Sequence, residues 1–551
     1  MAQLVIPKTL ESRDTGDLVS FFESYDDIVQ KNSGIHDSKC LTIDSLDPQC
    51  PIRERTFTKV KLTDESVDVV NLNKSWISMT ITAKVSWQFD TSDMNLTPDN
   101  YGIVGHCLFV GLKSSSHIID SYRIYNSNRK TACEQAQALH ENTIVHFLKP
   151  DSEIQGRPNI YTPWENAFHH DESVCGKYIC DFISSGQPFW DGKEHTETIE
   201  MELTIPLDDI LPLSNISMYP NYLFGNLQLE FMPTTKSNFV WCMVNHEDAY
   251  SSLGLYTTGK SATPYFHFYN KLIDKCFYQC GDTVRTPVVF NDRTSGTDNF
   301  YSFKTPKLTV NVSDLTITSC ESNINGFRIK DSVKAQLRAK YSGKKLIIPS
   351  QFIDFQPTNN GPSGSMLQST TSYSLTNVSN ICVTFPRSKN ELTISRNPRL
   401  TAFQLLVDNK PYPAMVGSTT CARYCEYVLA NSYLDNLWCG NKSLLCALKH
   451  NDEEFRDDVC YVPIHDNTNY CFNAATERLC SGDGIYCDGL NKDMSVIRLF
   501  GVLDKSCQYA SSDISPLVFF VQTTFWVCTT EGVEYVMNDP EFLKRETEEE
   551  S

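Results

Sequence analysis

Strand patterning dominates this chain. From Ile77 to Phe89 the apolar residues Ile77, Met79, Ile81, Ala83, Val85, Trp87 and Phe89 alternate with Ser78, Thr80, Thr82, Lys84, Ser86 and Gln88. That period of two sends one set of side chains to a buried face. The same alternation predicts strands at Ile199/Met201/Leu203/Ile205, at Leu227/Leu229/Phe231 and at Leu308/Val310/Val312. It recurs around Ile381 to Phe385, around Phe403 to Val407 and in Leu517 to Cys528. Clusters of Gly, Asn, Asp, Ser and Pro separate these runs, and the best helical segments are Cys133 to Asn142 and Asp331 to Tyr341. Many strands with long irregular loops predict an all-β protein built from β-sandwiches.

The two halves share a loosely parallel plan, each opening on a β-rich run after polar sequence and closing on an apolar strand, which fits two fused sandwiches. Residues 1–54 are polar and read as an N-terminal arm with one short helix near Leu18 to Gln30. Residues 55–278 form the first expected sandwich and residues 279–540 the second, with the boundary where Cys276 to Cys280 gives way to the polar Asn291 to Asn299. Residues 541–551 are an acidic C-terminal tail.

A chain of 551 residues with 40% hydrophobic and 21% charged residues has ample material for folded cores. Its net charge of -19 repels phosphate and anionic lipid. The densest basic stretch, Arg328 to Lys345, reads as one solvated helix, so no direct nucleic-acid binding is expected. The start from Met1 to Lys8 lacks the basic and apolar regions of a signal peptide. The run Leu517 to Cys528 is too short and too interrupted for a membrane helix, so no membrane span is expected. Without a secretory signal, the 21 cysteines read as reduced, buried small hydrophobes and the sequons at Asn73, Asn95, Asn215, Asn311, Asn377 and Asn441 as unmodified.

Candidate chemistry is thin. Gly254 to Ser261 satisfies the P-loop pattern, in which Lys260 would meet phosphates and Ser261 magnesium. That chemistry needs a strand directly before the first glycine and a helix beginning at Lys260. Here the apolar run ends near Val244 and Pro264 follows Ser261 closely, so the segment reads as a loop and nucleotide binding is the alternative. His169, His170, Asp171 and Glu172 near Cys175 and Cys180, and the pairs Cys276/Cys280 and Cys421/Cys425, offer metal-ligand types without the paired spacing that brings four ligands to one ion. Whether Cys421 to Cys528 holds metal or disulfides stays open at this level. There is no G-x-S-x-G elbow to anchor a nucleophile. No catalytic, cofactor-binding or metal residues are assigned, and no enzyme activity is expected.

Several passages resemble the double jelly-roll major capsid proteins of the Polinton/Maverick, virophage, adintovirus and adenovirus-like lineage. Val69 to Ile81 is similar to that family's early strand, and Leu108 to Tyr125 to its segment of small polar residues leading into a peripheral strand. Ile205 to Leu211, then Tyr219 to Gly225 and Leu227 to Phe231, resembles the passage closing its first jelly roll. In the second half, Ile381 to Arg387, Asn397 to Phe403 and Leu405 to Pro413 resemble its internal passage, and Phe519 to Cys528 with Glu531 to Tyr535 its final strand and turn.

These matches run in family order over residues 60–535. The resemblance implies a double jelly roll, trimerising into pseudo-hexagonal capsomers that tile an icosahedral shell. It also implies no cofactor, penton or minor capsid proteins as further partners, a place in the virion capsid, and assembly in host cytoplasm or nucleus. A secreted β-sandwich binder, suggested by the sequons and cysteines, is the other alternative.

Overall fold

The computed structural model describes residues 35–44, 52–53, 57–90, 101–103, 106–112, 114–126, 128, 130–148, 175–179, 192–233, 238–245, 278–285, 288–292, 300–304, 307–360, 366–386, 400–417, 471–475, 490–503 and 516–537. Their architecture is all-β, with every paired ladder antiparallel. The predicted strand from Ile77 is observed as Trp76–Asp90, flanked on one side by Glu194–Pro206 and on the other by Lys307–Ile329. Its residues Ile77 to Phe89 are buried at every second position, as the alternation requires. Two four-stranded sheets and a three-stranded one, of Phe300–Lys304, Val288–Asp292 and Tyr101–Ile103, complete the described part of this unit. Of the four-stranded sheets, one joins Gly176–Ile179, His106–Gly111, Val240–Asn245 and Tyr278–Gln279; the other joins Thr58–Lys61, Gln228–Pro233, Ile119–Tyr125 and Thr131–Gln135.

A nine-stranded sheet makes the second unit, in the order Leu346–Pro357, Leu517–Thr529, Met366–Thr384, Leu490–Leu503, Leu400–Val407 and Lys410–Gly417, with three shorter strands beside this path. The apolar run of Leu517–Thr529 follows from its place in that sheet. It is buried on both faces: Val518 and Phe520 enter a cluster with Ile381, Phe403 and Leu499, while Phe519 and Val521 point the opposite way, onto Ile144 and Leu211. A strand covered on both sides needs no polar alternation.

Four sequence expectations change. The helix expected over Cys133 to Asn142 is a strand, Thr131–Gln135, followed by a helix at Ala138–Leu148. Pairing with Ile119–Tyr125 overrides local helix propensity, turning Cys133 and Gln135 inward and Glu134 outward to Arg123 at 2.8 Å. The arm expected over residues 1–54 is shorter, because Ile35–Asp44 adds to the edge of Lys307–Ile329 and Leu41 and Ile43 pack on the core. The short helix expected near Leu18 to Gln30 lies outside the described residues.

The change of unit comes later than the expected 278/279 boundary. Thr283–Arg285 and Lys307–Ile329 pair within the first unit, and partners switch only between Ile329 and Leu346. The physical reason is the inward set Leu308, Val310, Val312, Ile317 and Ile324, which joins the same core as Ile77 and Met201. Finally, Arg328 to Lys345 is not one helix: Arg328 and Ile329 end a strand, and the helix is Asp331–Lys340.

The 23-residue strand Lys307–Ile329 keeps its register by bulging. Its pairing slips between Ser313 and Thr316 and again between Ile317 and Ser319, with Asp314 at φ 53°. A different constraint acts at Gly111, directly opposite Gly176, where a Cβ would lie 2.3 Å from the Cys175 carbonyl oxygen. Gly111→Ala is expected to cost about 1 to 3 kcal/mol through forced separation of these strands, read as a lowered midpoint in chemical denaturation.

Candidate functional site: the seam between the two β-units

The helix Ala138–Leu148 lies where the two units meet, and its residues from Ala138 to Val145 are all buried. A helix covered on every side must satisfy its polar groups locally. Its first turn carries Glu141, a fully buried carboxylate. Tyr122 Oη donates to both carboxylate oxygens at 2.9 and 3.0 Å, Gln135 Nε2 donates to Oε2 at 2.9 Å, and the Leu211 backbone N–H donates to Oε1 at 3.1 Å. The same Gln135 nitrogen donates to the Ile353 carbonyl of the second unit at 2.9 Å.

Burial pushes the Glu141 carboxyl up to about 7, against the opposing pull of the Gln135, Tyr122 and Leu211 donors. The preceding residue, His140, stacks on Phe355 with ring centroids 3.9 Å apart, and burial lowers its imidazole to about 4. It is therefore a neutral aromatic wedge over most of the working pH range.

Further bonds key the units together. Trp526 Nε1 donates to the Pro212 carbonyl at 2.6 Å, and Ser350 Oγ donates to the same oxygen at 3.1 Å. Asn126 Nδ2 donates to the Val533 carbonyl at 3.2 Å and Asn128 Nδ2 to that of Glu531 at 3.1 Å. Within the second unit Tyr535 packs edge-on against Trp526, its hydroxyl donating to the Gln351 carbonyl at 2.8 Å, and so holds the indole that reaches across. Around these bonds Ile144, Val145 and Leu211 of the first unit share a cluster with Ile353, Phe519 and Val521 of the second, so the seam is apolar with a few satisfied polar keys. This arrangement can hold two sheets in one fixed relation.

Sequence pattern marks none of these seam residues as functional, although Tyr122, Leu211, Phe519, Trp526 and Tyr535 lie within passages that carry the family resemblance. A lone Glu within the otherwise apolar-leaning Ala138–Leu148 helix was the available signal for Glu141. Of the segments weighed for chemistry, Gly254 to Ser261, His169 to Glu172, Cys276 and the Cys421/Cys425 pair lie outside the described residues. Cys175 is described and buried, with its Sγ 3.3 Å from Ser115 Oγ. Among the described residues no group of three or more His, Cys, Asp or Glu is placed to hold a metal ion, and no helix is long and apolar enough to cross a membrane.

Burial pushes the Cys175 thiol up to about 12 and those of Cys133 and Cys528 up as well. Only a thiolate attacks a disulfide reagent. These three thiols are expected to stay unreactive in the native protein and to titrate on unfolding, which mass-resolved thiol labelling measures.

No family model matches the chain, and no curated protein matches it. Among solved structures the chain is similar to one in the 3.5 Å cryo-EM structure of the Sputnik virophage, at 10% identity, TM-score 0.47, covering 92% of this chain and 89% of that one. It is similar to the Faustovirus major capsid protein at 9% identity, TM-score 0.45, covering 95% of this chain and 100% of that one. It is also similar to the STIV MCP at 10% identity, TM-score 0.37, covering 92% and 99%.

Proposed function

We propose that the chain is a major capsid protein, a structural rather than catalytic component that trimerises into pseudo-hexagonal capsomers. The reading is supported above all by the seam: two antiparallel β-units are fixed to each other by buried bonds from both sides, as a load-carrying shell block requires. Hinged units would let a lattice contact on one unit dissipate in bending rather than propagate to the next subunit. Parts of three passages that resemble the double jelly-roll capsid family fall on framework strands, Ile77 to Ile81 in Trp76–Asp90, Ile381 to Thr384 in Met366–Thr384 and Phe519 to Cys528 in Leu517–Thr529.

In this reading each β-unit is one jelly roll, residues 1–34 are an arm and residues 541–551 a tail. The shell is the protein's location in the virion, with penton or minor capsid proteins as neighbours, no cofactor, and genome contact left to other, basic proteins. Light scattering on the purified chain tests the assembly step. A mass near three times 62.5 kDa supports it, and a single-chain mass at all concentrations contradicts it.

A further inference from the structure

The two units hold the Glu141 carboxyl unequally. Its hydrogen bonds come from Tyr122, Gln135 and the Leu211 backbone, all in the first unit, as is the helix that carries it. What the second unit brings is cover. Ile353, Phe519 and Val521 close over the helix at Ile144 and Val145, Phe355 stacks on His140 at 3.9 Å, and Phe519 lies 6.0 Å from the same imidazole. The polar groups of the second unit beside the carboxyl are the Ile353 carbonyl, which accepts from Gln135, and the Tyr535 hydroxyl, which donates to Gln351.

Parting the units would therefore remove burial without removing a donor. Burial favours the neutral acid, whereas the donors favour the anion. In the closed seam burial prevails and the carboxyl stands at about 7; with the seam open it falls to its ordinary 4.5 or below.

The charged and titratable groups around it leave this contrast in place. Tyr122 on Ile119–Tyr125, Cys133 on Thr131–Gln135 and Tyr535 on Gly532–Met537 are all pushed upward by burial and stay protonated. Glu134 turns outward to Arg123, and Asp354 accepts from Tyr373 at 2.5 Å on the opposite face of its strand from Ile353. His140 is neutral, and His117 stands on the turn Ser115–Ile118, which Asn142 of the helix bonds through the Ser116 carbonyl at 2.9 Å.

We propose that the seam is a proton-gated joint: Glu141 takes up a proton from solvent as the two units close and returns it as they part. Closure is helped most below pH 4.5 and progressively less as pH rises through 7. From about pH 6 to about pH 8 the opening equilibrium should rise about tenfold. The apolar contacts of the seam are the same for both forms of the carboxyl, so the closed relation predominates at either pH. In the capsid reading above, on which only this consequence rests, a rise in pH would loosen every block of the shell from within.

Hydrogen exchange on the full-length chain, corrected for intrinsic base catalysis, tests the joint at these two pH values. Exchange in Leu211–Leu213 and Ala138–Leu148 is expected to rise about tenfold, with Trp76–Asp90 and Met366–Thr384 unchanged, and to stay flat in Glu141→Gln. The infrared spectrum of unmutated protein carrying 13C-carboxyl glutamate should show a protonated-acid band at the lower pH that is lost at the higher one. Absence of that band at the lower pH would place the anion in the closed seam and overturn the proposal, whether or not the variant folds. A flat response in the unmutated protein, the same rise in Glu141→Gln, or an equal rise in Trp76–Asp90 would also overturn it. Each of these readouts concerns the joint within one chain, so a single-chain mass in light scattering would remove the assembly reading and leave the joint to stand or fall on its own.

Discussion

Trp526→Ala is expected to lower stability by about 3 to 5 kcal/mol, the range for emptying a buried aromatic site. Trp526 is fully buried, lies 4.7 Å from Tyr535 between ring centroids, and sends its indole N–H to Pro212 in the other unit. Removing it opens a cavity at the seam and strips one of two donors from the Pro212 carbonyl, leaving Ser350 Oγ in place. The loss should be local before it is global. Hydrogen exchange is expected to rise first in Leu211–Leu213 and Ala138–Leu148, with Trp76–Asp90 retaining its protection. Trp526→Phe keeps most of the volume and should cost about 1 kcal/mol for the lost bond. Equal acceleration of exchange in Trp76–Asp90 would mean the seam is not a separable structural element.

The second large effect is a pH dependence centred on Glu141. Its carboxyl is raised from an ordinary value of 4.5 to about 7 in the folded chain, burial being the cause. For an acid shifted upward, the neutral form is the stabilised one. That contribution is fully present below pH 4.5 and is lost as pH rises through 7. The shift corresponds to about 3 kcal/mol at 1.36 kcal/mol per pH unit.

Other carboxylates titrate across the same range, so the informative quantity is the stability of the native chain minus that of Glu141→Gln, followed with pH. The difference is expected to fall by about 3 kcal/mol between pH 4.5 and pH 7 and then level off. Tyr122, Tyr535 and Cys133 near this carboxyl are pushed upward by burial and stay protonated throughout, and His140 is neutral above about 4. A rising difference curve would show that the Tyr122, Gln135 and Leu211 donors outweigh burial and hold the anion.

The strands were legible because their signal is local. In Trp76–Asp90 and Glu194–Pro206 each inward side chain announces itself by its alternation with a polar neighbour. Leu517–Thr529 was legible as a strand, whereas its burial on both faces emerges only when the Ala138–Leu148 helix is seen to cover one of them. The unit boundary was misplaced because polar sequence at Asn291 to Asn299 resembles a linker, while Lys307–Ile329 returns beyond it to pair with Trp76–Asp90. The seam could not be read at all. Tyr122, Glu141, Leu211 and Ile353 are far apart along the chain, and no spacing rule links residues joined only by topology.

The central claim is that this chain builds a shell, and imaging the particle formed by the purified full-length protein tests it most directly. Electron microscopy should show a trimer with a pseudo-hexagonal outline, each subunit contributing two β-units held at one fixed relation. Isolated single chains, or trimers whose two units adopt variable relative orientations, would contradict the account.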